Sequence, residues 1–147
     1  MTHVTKTLIA ATALFVSGIA VGRALTPAPV EGFQPAPSKV YEMRTYTATD
    51  GNFDAVNARF RDHTVRLFEK HGMKNIGYWT PMEGPTAGTT LIYVLEHPSR
   101  EAARANWAAF AKDPDWQKAK AASEVNGRIV AKAESVFLTA TDYSPIK

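Results

Sequence analysis

Apolar and polar side chains alternate between Val40 and Ala48, and this period of two is typical of a β-strand. From Phe53 to His71 the apolar residues recur instead at every third or fourth position, as they do on one face of an α-helix. Gly72 follows, and glycine suits the left-handed residue that ends a helix. The folded part of the chain therefore begins with a strand and an amphipathic helix, which has both His63 and His71 near its buried face.

Three further strands and a second helical region complete the pattern. The strands are rich in β-branched and aromatic residues, and we predict them at 73–80, 89–96 and 128–139. Between the last two, Ser99 is a predicted helix cap, and Asp113 followed by Pro114 begins another helix. The order strand, helix, strand, strand, helix, strand predicts an α+β fold. It is a ferredoxin-like βαββαβ unit with a four-stranded antiparallel sheet.

Both faces of the predicted sheet carry apolar side chains. In the first strand, Tyr41 and Met43 point to one face and Tyr46 points to the other. Helices cover only one face of such a unit, so the other face needs a second cover. A second copy of the chain is the simplest partner, and two sheets packed face to face form a dimeric α+β barrel. We therefore predict a homodimer.

The N-terminal segment differs from the rest of the chain. Residues 8–21 are uncharged and apolar, and they are too few for a spanning helix, which needs roughly 20 residues. They suit the apolar region of a secretory signal, so 1–24 is interpreted as a signal peptide and the protein as periplasmic or secreted. The alternative is an uncleaved anchor, in which residues 8–21 hold the protein to the membrane. A proline-rich linker at 25–39 precedes the domain at 40–147.

Charge and composition exclude several classes of function. The whole chain has a net charge of +3, but residues 1–39 hold most of it and leave 40–147 with about +1. A nearly neutral domain has no electrostatic footprint for nucleic acid. The chain has no cysteine, which excludes disulfides and thiolate metal sites. His63 and His71 are too far apart on a helix to share a metal ion, and no nucleotide fingerprint is present, so we predict neither metal nor cofactor. The alternative is His63 as a single axial ligand of haem, although the sequence has no haem attachment motif.

Six short motifs, in this order along 40–147, resemble the NIPSNAP family: VYEMRTYTA, KHGM, IGYW, IYVLEHPSR, FAKDPDWQKA and SVFLTATDYSP. The resemblance implies a ferredoxin-like protomer and a homodimer of the dimeric α+β barrel class. It implies no particular reaction, because the family has no agreed catalytic set. Relatives in the wider superfamily include monooxygenases, isomerases, cyclases and haem-binding proteins.

Three residues are candidates for catalysis. His63 is a potential general base near neutral pH. Tyr46 is a potential donor to an oxyanion, and Arg44 on the same strand face is a potential partner for a carboxylate. The alternatives are structural: His63 as a core or interface histidine, and Arg44 with Glu42 as an ion pair at the dimer interface with Tyr46 beside it.

Four further residues are candidates for ligand binding. Glu42 shares the strand face of the catalytic candidates, and Trp79 and Tyr93 are expected to wall an apolar pocket unless they belong to the core. His71 either contacts the ligand or interacts with the dipole at the end of its helix. His97, which precedes a proline, is expected to be solvent-exposed at the end of its strand.

These observations predict a protein that binds a small apolar or aromatic molecule, with or without cofactor-free oxygenase or isomerase chemistry. The alternative is a non-catalytic scaffold for protein interaction. An open cavity in the domain favours binding or catalysis, whereas a filled interior favours the scaffold.

The leader generates the first prediction. We expect the protein isolated from its own envelope fraction to begin after residue 22 or 24, because small residues precede both positions. Intact-mass spectrometry of that fraction measures this. A protein that keeps residues 8–21 and stays in the membrane fraction would contradict cleavage and support the anchor.

Overall fold

The computed structural model describes residues 39–147, so the signal peptide at 1–24 and nearly all of the linker at 25–39 lie outside the described residues. The elements, in chain order, are β1 (Val40–Ala48), α1 (Phe53–Arg59), a π-helical segment (Phe60–Thr64), α2 (Val65–Lys70), β2 (Lys74–Trp79), β3 (Thr90–His97), α3 (Arg100–Ala111), α4 (Pro114–Ser123) and β4 (Val130–Leu138). Among these residues no helix is both long enough and apolar enough to cross a membrane.

The four strands form one antiparallel sheet in the order β2-β3-β1-β4. This confirms the predicted α+β, ferredoxin-like fold. In β1, Arg44 lies directly opposite Tyr93 of β3 on one side and Ser135 of β4 on the other. Directly opposite residues share a face of the sheet. Glu42, Arg44 and Tyr46 therefore all face the helices. The residues directly opposite them on β3 and β4 face the helices as well.

The core between sheet and helices is aromatic, and Tyr93 lies at its centre. Its ring is fully buried. The rings of Phe60, Tyr46, Tyr78 and Phe68 surround it at centroid distances of 5.1, 5.3, 5.5 and 5.8 Å. These separations are typical of stabilising aromatic pairs, and burial of each large apolar side chain contributes about 1.5–3 kcal/mol.

The long helix predicted from Phe53 onward contains a π-helical turn, which the sequence periodicity does not show. The Thr64 hydroxyl donates to the carbonyl of Arg59 at 3.1 Å, five residues back along the chain. The wider turn changes the phase of the helix, so Phe60 and Thr64 are buried while His63 is exposed. The prediction that His63 lies near the buried face is therefore wrong, because it assumed a uniform period of 3.6 residues.

The helix ends follow the predicted local rules. The Ser99 hydroxyl accepts a hydrogen bond from the backbone N–H of Ala102, and the Asp113 carboxylate accepts from the first turn of α4. Pro114 occupies the first turn of that helix. Gly72 has a φ of +72°, as expected for the left-handed residue after a helix.

The sheet face away from the helices, which we call the open face, is apolar and only partly covered. Its side chains include Tyr41, Trp79, Val94 and Leu138, with Ile146 of the C-terminal segment beside them. The ring of Trp79 lies over Gly77, where a Cβ atom would be only 2.5 Å from it. Trp79, Val136 and Leu138 are 53%, 51% and 40% exposed. The helices thus leave one apolar face without a cover.

Candidate functional site

A cleft lies on the helix side of the sheet, along the edge strand β4. The helices leave much of that strand uncovered, and both Ala133 and Ser135 are exposed. The cleft has a volume of about 310 Å³. We call it the β4 cleft, and its lining residues come from the sheet, α1, α4 and the turn before β4: Tyr46, Arg59, Trp116, Lys120, Glu124, Arg128, Val130 and Ala133.

On the strand that contributes Tyr46 to the cleft, the carboxylate of Glu42 is surrounded by four hydrogen-bond donors. Trp107 Nε1 and Ser135 Oγ each donate at 2.6 Å, and Arg44 Nη1 donates at 2.7 Å. His97 Nε2 lies 3.1 Å from the same group. The side chain of Glu42 is only 2% exposed. Burial by itself raises the pKa of Glu42, but the hydrogen bonds from His97, Ser135, Trp107 and Arg44 outweigh it and lower the pKa to about 2.

This arrangement makes Glu42 a poor general base and a good positioning group. A carboxylate with such a low pKa holds a proton weakly, and both of its oxygens already accept two hydrogen bonds. What it does is orient Arg44. The guanidinium of Arg44 also stacks on the Trp107 ring at 4.3 Å and lies 5.6 Å from the Tyr46 ring.

Three buried polar atoms of this cluster have no hydrogen-bond partner among the described residues. They are Nδ1 of His97, Nε of Arg44 and the hydroxyl oxygen of Tyr93, which lies opposite Arg44 on the neighbouring strand. Burial raises the pKa of Tyr93 well above its ordinary value, so the hydroxyl stays protonated at neutral pH. Buried donors without a partner are uncommon in folded proteins.

His97 was missed as a member of this cluster, and its predicted exposure is wrong. The residue is fully buried, and its ring lies 6.4 Å from that of Phe137. The alternation of β3 contains the signal that was overlooked, because His97 has the same parity as the buried Leu91, Tyr93 and Leu95. The following proline suggested a strand end in solvent, but α3 packs over that end.

The structure does not bring His63 together with Arg44 and Tyr46. His63 lies in a shallow groove on the outer side of the helices, between the π-helical segment and α4. Tyr46 lines the β4 cleft, and Arg59 is the lining residue common to both. A mechanism in which His63 removes a proton from a ligand held by Arg44 and Tyr46 is therefore not supported by this geometry.

Trp79 and Tyr93 do not wall a common pocket. Trp79 lies opposite Ile92 and therefore shares the open face with it, whereas Tyr93 belongs to the core on the helix side. The expectation of a shared pocket ignored the alternation of side chains along β2 and β3. Tyr93 remains beside the ligand-binding candidates, and Trp79 belongs to the face that lacks a cover.

His71 links the end of α2 to the start of α4. Its Nε2 lies 2.6 Å from the Asp113 carboxylate, and Lys70 Nζ lies 2.8 Å from the same carboxylate. The hydrogen bonds from Lys70 and His71 hold the pKa of Asp113 well below its usual range. His71 therefore stabilises the junction between two helices, away from the β4 cleft.

The alternative in which Glu42 and Arg44 form an ion pair at a dimer interface does not fit the structure, because they pair on the helix side of the sheet within one chain.

Metal ligation has no support in the described part of the chain. Within residues 39–147 no group of three or more histidine and carboxylate side chains is arranged so that it could hold a metal ion. The β4 cleft itself has only one carboxylate in its lining, that of Glu124. The arrangement instead combines aromatic surfaces with arginine and lysine side chains.

An antiparallel four-stranded sheet with helices on one face and a cleft beneath them defines a ferredoxin-like α+β protein. A sequence model of the NIPSNAP family matches residues 41–145, and the chain belongs to this family. Among curated proteins no sequence match is found.

Solved structures of the family have the same fold. A NIPSNAP family protein of unknown function from Agrobacterium tumefaciens aligns with a TM-score of 0.65 at 20% identity, over 76% of this chain and 96% of that one. A NIPSNAP domain protein from Burkholderia xenovorans aligns with a TM-score of 0.61 at 24% identity, over 72% of this chain and 98% of the other. At these identities the likeness shows the fold alone.

The buried carboxylate generates a stability prediction. Glu42→Gln is expected to lower the free energy of unfolding by about 3 kcal/mol, because it leaves the charge of Arg44 without its partner. Glu134→Gln is the matched control on neighbouring β4. Glu134 is 53% exposed and pairs only with Lys132, so the expected loss is under about 0.5 kcal/mol. Urea denaturation at neutral pH measures both.

A comparison of Glu42→Gln with the unchanged protein tests how the free energy of unfolding depends on pH. The folded pKa of Glu42 is depressed, so its contribution is fully present above its ordinary pKa of 4.5 and is lost as the pH falls towards about 2. The stability of Glu42→Gln should therefore fall less steeply across this window than that of the unchanged protein. Equal slopes in the two proteins would contradict the assignment.

Proposed function

We propose that this NIPSNAP protein binds a small aromatic molecule that carries an acceptor oxygen, in the β4 cleft. The observation that carries the proposal is that Arg44 Nε and the Tyr93 hydroxyl are buried and have no hydrogen-bond partner within residues 39–147. An acceptor oxygen of a ligand satisfies both, and a charged donor such as arginine makes the stronger kind of hydrogen bond.

The walls of the cleft support an aromatic ligand. Tyr46 and Trp116 both line it, and the Tyr46 ring also lies 5.3 Å from that of Tyr93. A flat ring in this cleft packs against these two aromatic faces, and Tyr46 is the lining residue that adjoins both Arg44 and Tyr93. The open volume of about 310 Å³ favours a binding protein over a scaffold with a filled interior.

Binding is the better supported function than turnover. Cofactor-free oxygenase or isomerase chemistry needs a group that removes a proton from the ligand. Among the described residues, Glu42 has a low pKa and a full set of hydrogen bonds, His97 is fully buried behind it, and His63 lies in a different groove. We therefore propose binding without chemistry as the primary role.

A tyrosine substitution tests this proposal through two opposite effects. Tyr93→Phe removes a buried hydroxyl that has no partner, so the free energy of unfolding should rise by about 1 kcal/mol. The same change removes a donor to the ligand, so less ligand should be retained. Native mass spectrometry of protein isolated from its own cells measures retention, and thermal denaturation of ligand-free protein measures stability.

Tyr78→Phe is the matched control, because Tyr78 stacks on Tyr93 and its hydroxyl already donates to Asn75. This variant should lose about 1 kcal/mol of stability and keep its ligand. Destabilisation of Tyr93→Phe to the same degree would mean that its hydroxyl has a partner. Undiminished retention in Tyr93→Phe would refute its role as a donor.

We also propose that the protein is a homodimer, in which the open face of one protomer covers that of its partner. The support is the partly exposed apolar surface around Trp79, Val136 and Leu138. Two copies related by a two-fold axis bury the same surface twice, which is the usual geometry of soluble dimers.

We also propose that residues 8–21 direct export of the protein. Its location is then periplasmic or secreted, or membrane-anchored if the segment is not cleaved.

Two exposed valines test the dimer. Val136→Lys introduces a charge into the open face, so the dimer should dissociate because an unpaired charge at an apolar interface is costly. Val125→Lys is the control, because Val125 is 76% exposed and lies outside the sheet. Sedimentation velocity and circular dichroism measure association and folding. A dimer that survives Val136→Lys would place the interface elsewhere.

A further inference from the structure

The guanidinium of Arg59 is buried at the side of the β4 cleft. Its side chain is only 4% exposed, and Nη1 donates to Glu124 Oε1 at 3.0 Å and to Ser123 Oγ at 3.2 Å. The charge lies 5.3 Å from the ring of Trp116, which also lines the cleft. Nε of Arg59 is buried and has no partner among the described residues. Arg59 is therefore a buried cation with an unused donor next to an open volume.

The backbone around Arg59 has an unusual geometry. The π-helical segment begins directly after it, and the carbonyl of Arg59 accepts the hydrogen bond from Thr64. A π-helical turn is less favourable than an α-helical one, and such turns occur frequently at functional sites. Here the wider turn joins α1 to α2 while Arg59 and Phe60 both stay buried. This is a second observation that singles out Arg59, independent of its charge.

Positive charge is concentrated in the cleft. Arg59, Lys120 and Arg128 line it with Glu124 as the only acidic residue of the lining. Glu124 already pairs with Arg59, and neither Lys120 nor Arg128 forms an ion pair within residues 39–147. The domain as a whole is nearly neutral, so this excess of cations is local. A cleft with one sign of charge and aromatic walls attracts an anionic ligand.

We infer that the β4 cleft recognises an aromatic carboxylate, an inference that rests on the proposed function and specifies its ligand. The carboxylate interacts with Arg59, Lys120 and Arg128, and the ring packs against Trp116 and Tyr46. The carboxylate is a second polar group of the ligand, separate from the acceptor oxygen proposed for Arg44 and Tyr93. A planar carboxylate matches the donor geometry of an arginine guanidinium. An aromatic ring beside Trp116 shields the buried charge of Arg59 from solvent. Of these lining residues of the cleft, only Tyr46 was a candidate from the sequence.

The inference is tested with two probes of the same shape and different charge, 1-naphthoate and its neutral amide, 1-naphthamide. The chain has three tryptophans, so ¹⁵N-labelled full-length protein gives three indole N–H signals, which Trp→Phe variants assign. Trp116 reports the β4 cleft, Trp107 reports the neighbourhood of Arg44, and Trp79 reports the open face. We expect 1-naphthoate to shift the Trp116 signal saturably and to bind about tenfold more tightly than the amide.

Charge variants give the matched comparison. Arg59 itself is a poor choice, because its removal leaves Glu124 without a partner and threatens the fold. The double variant Lys120→Gln with Arg128→Gln should weaken 1-naphthoate about tenfold and leave the amide unchanged. The control is the double variant Lys112→Gln with Lys118→Gln, which removes the same two charges from exposed residues that do not line the cleft.

The outcomes separate this inference from the proposed function. Equal binding of both probes at Trp116 would overturn carboxylate recognition and leave aromatic binding in place. Shifts at Trp79 alone would assign the probes to the open face and overturn the inference for this cleft. Binding of neither probe at any indole would overturn both the inference and the proposed aromatic specificity. Equal weakening by the control double variant and by Lys120→Gln with Arg128→Gln would reduce the effect to net charge and overturn the site.

Discussion

The buried carboxylate of Glu42 is the interaction on which the helix side of this domain depends. It accepts hydrogen bonds from residues of β1, β3, β4 and α3, so one side chain connects three strands and the helix above them. Burial of a carboxylate is costly, and here four donors offset that cost and keep it ionised. These contacts hold the side chains of Arg44, Trp107, Ser135 and His97 around one carboxylate.

The sheet separates two surfaces of different chemical character. On the helix side, α3 and α4 leave the edge strand β4 partly uncovered, and the cleft with its aromatic and cationic lining results from that gap. On the open side, the exposed Trp79 and Val136 form an apolar surface that a second copy can cover. The proposed ligand site and the proposed dimer interface therefore lie on opposite faces of the same four strands.

The local elements were predictable because each rests on neighbouring residues. Alternation in β1 and β3, the caps at Ser99 and Asp113, and the glycine after α2 all follow from short-range sterics and hydrogen bonding. The same alternation in β3 indicates that His97 is buried, although the proline that follows it suggests a strand end in solvent. The π-helical turn was not predictable, since its extra residue is stabilised by packing of Phe60 and Thr64 rather than by a sequence signal.

The sequence by itself determined the family, the order of strands and helices, and the shared strand face of Glu42, Arg44 and Tyr46, because periodicity and motif order depend only on neighbouring residues. Only the tertiary structure decided what these side chains contact. The phase of the helix turned His63 outward, the sheet register brought Ser135 and His97 to Glu42, and α4 brought Trp116 and Lys120 to Arg59. Contacts between residues far apart in the chain depend on strand register and helix packing, and no local pattern encodes either.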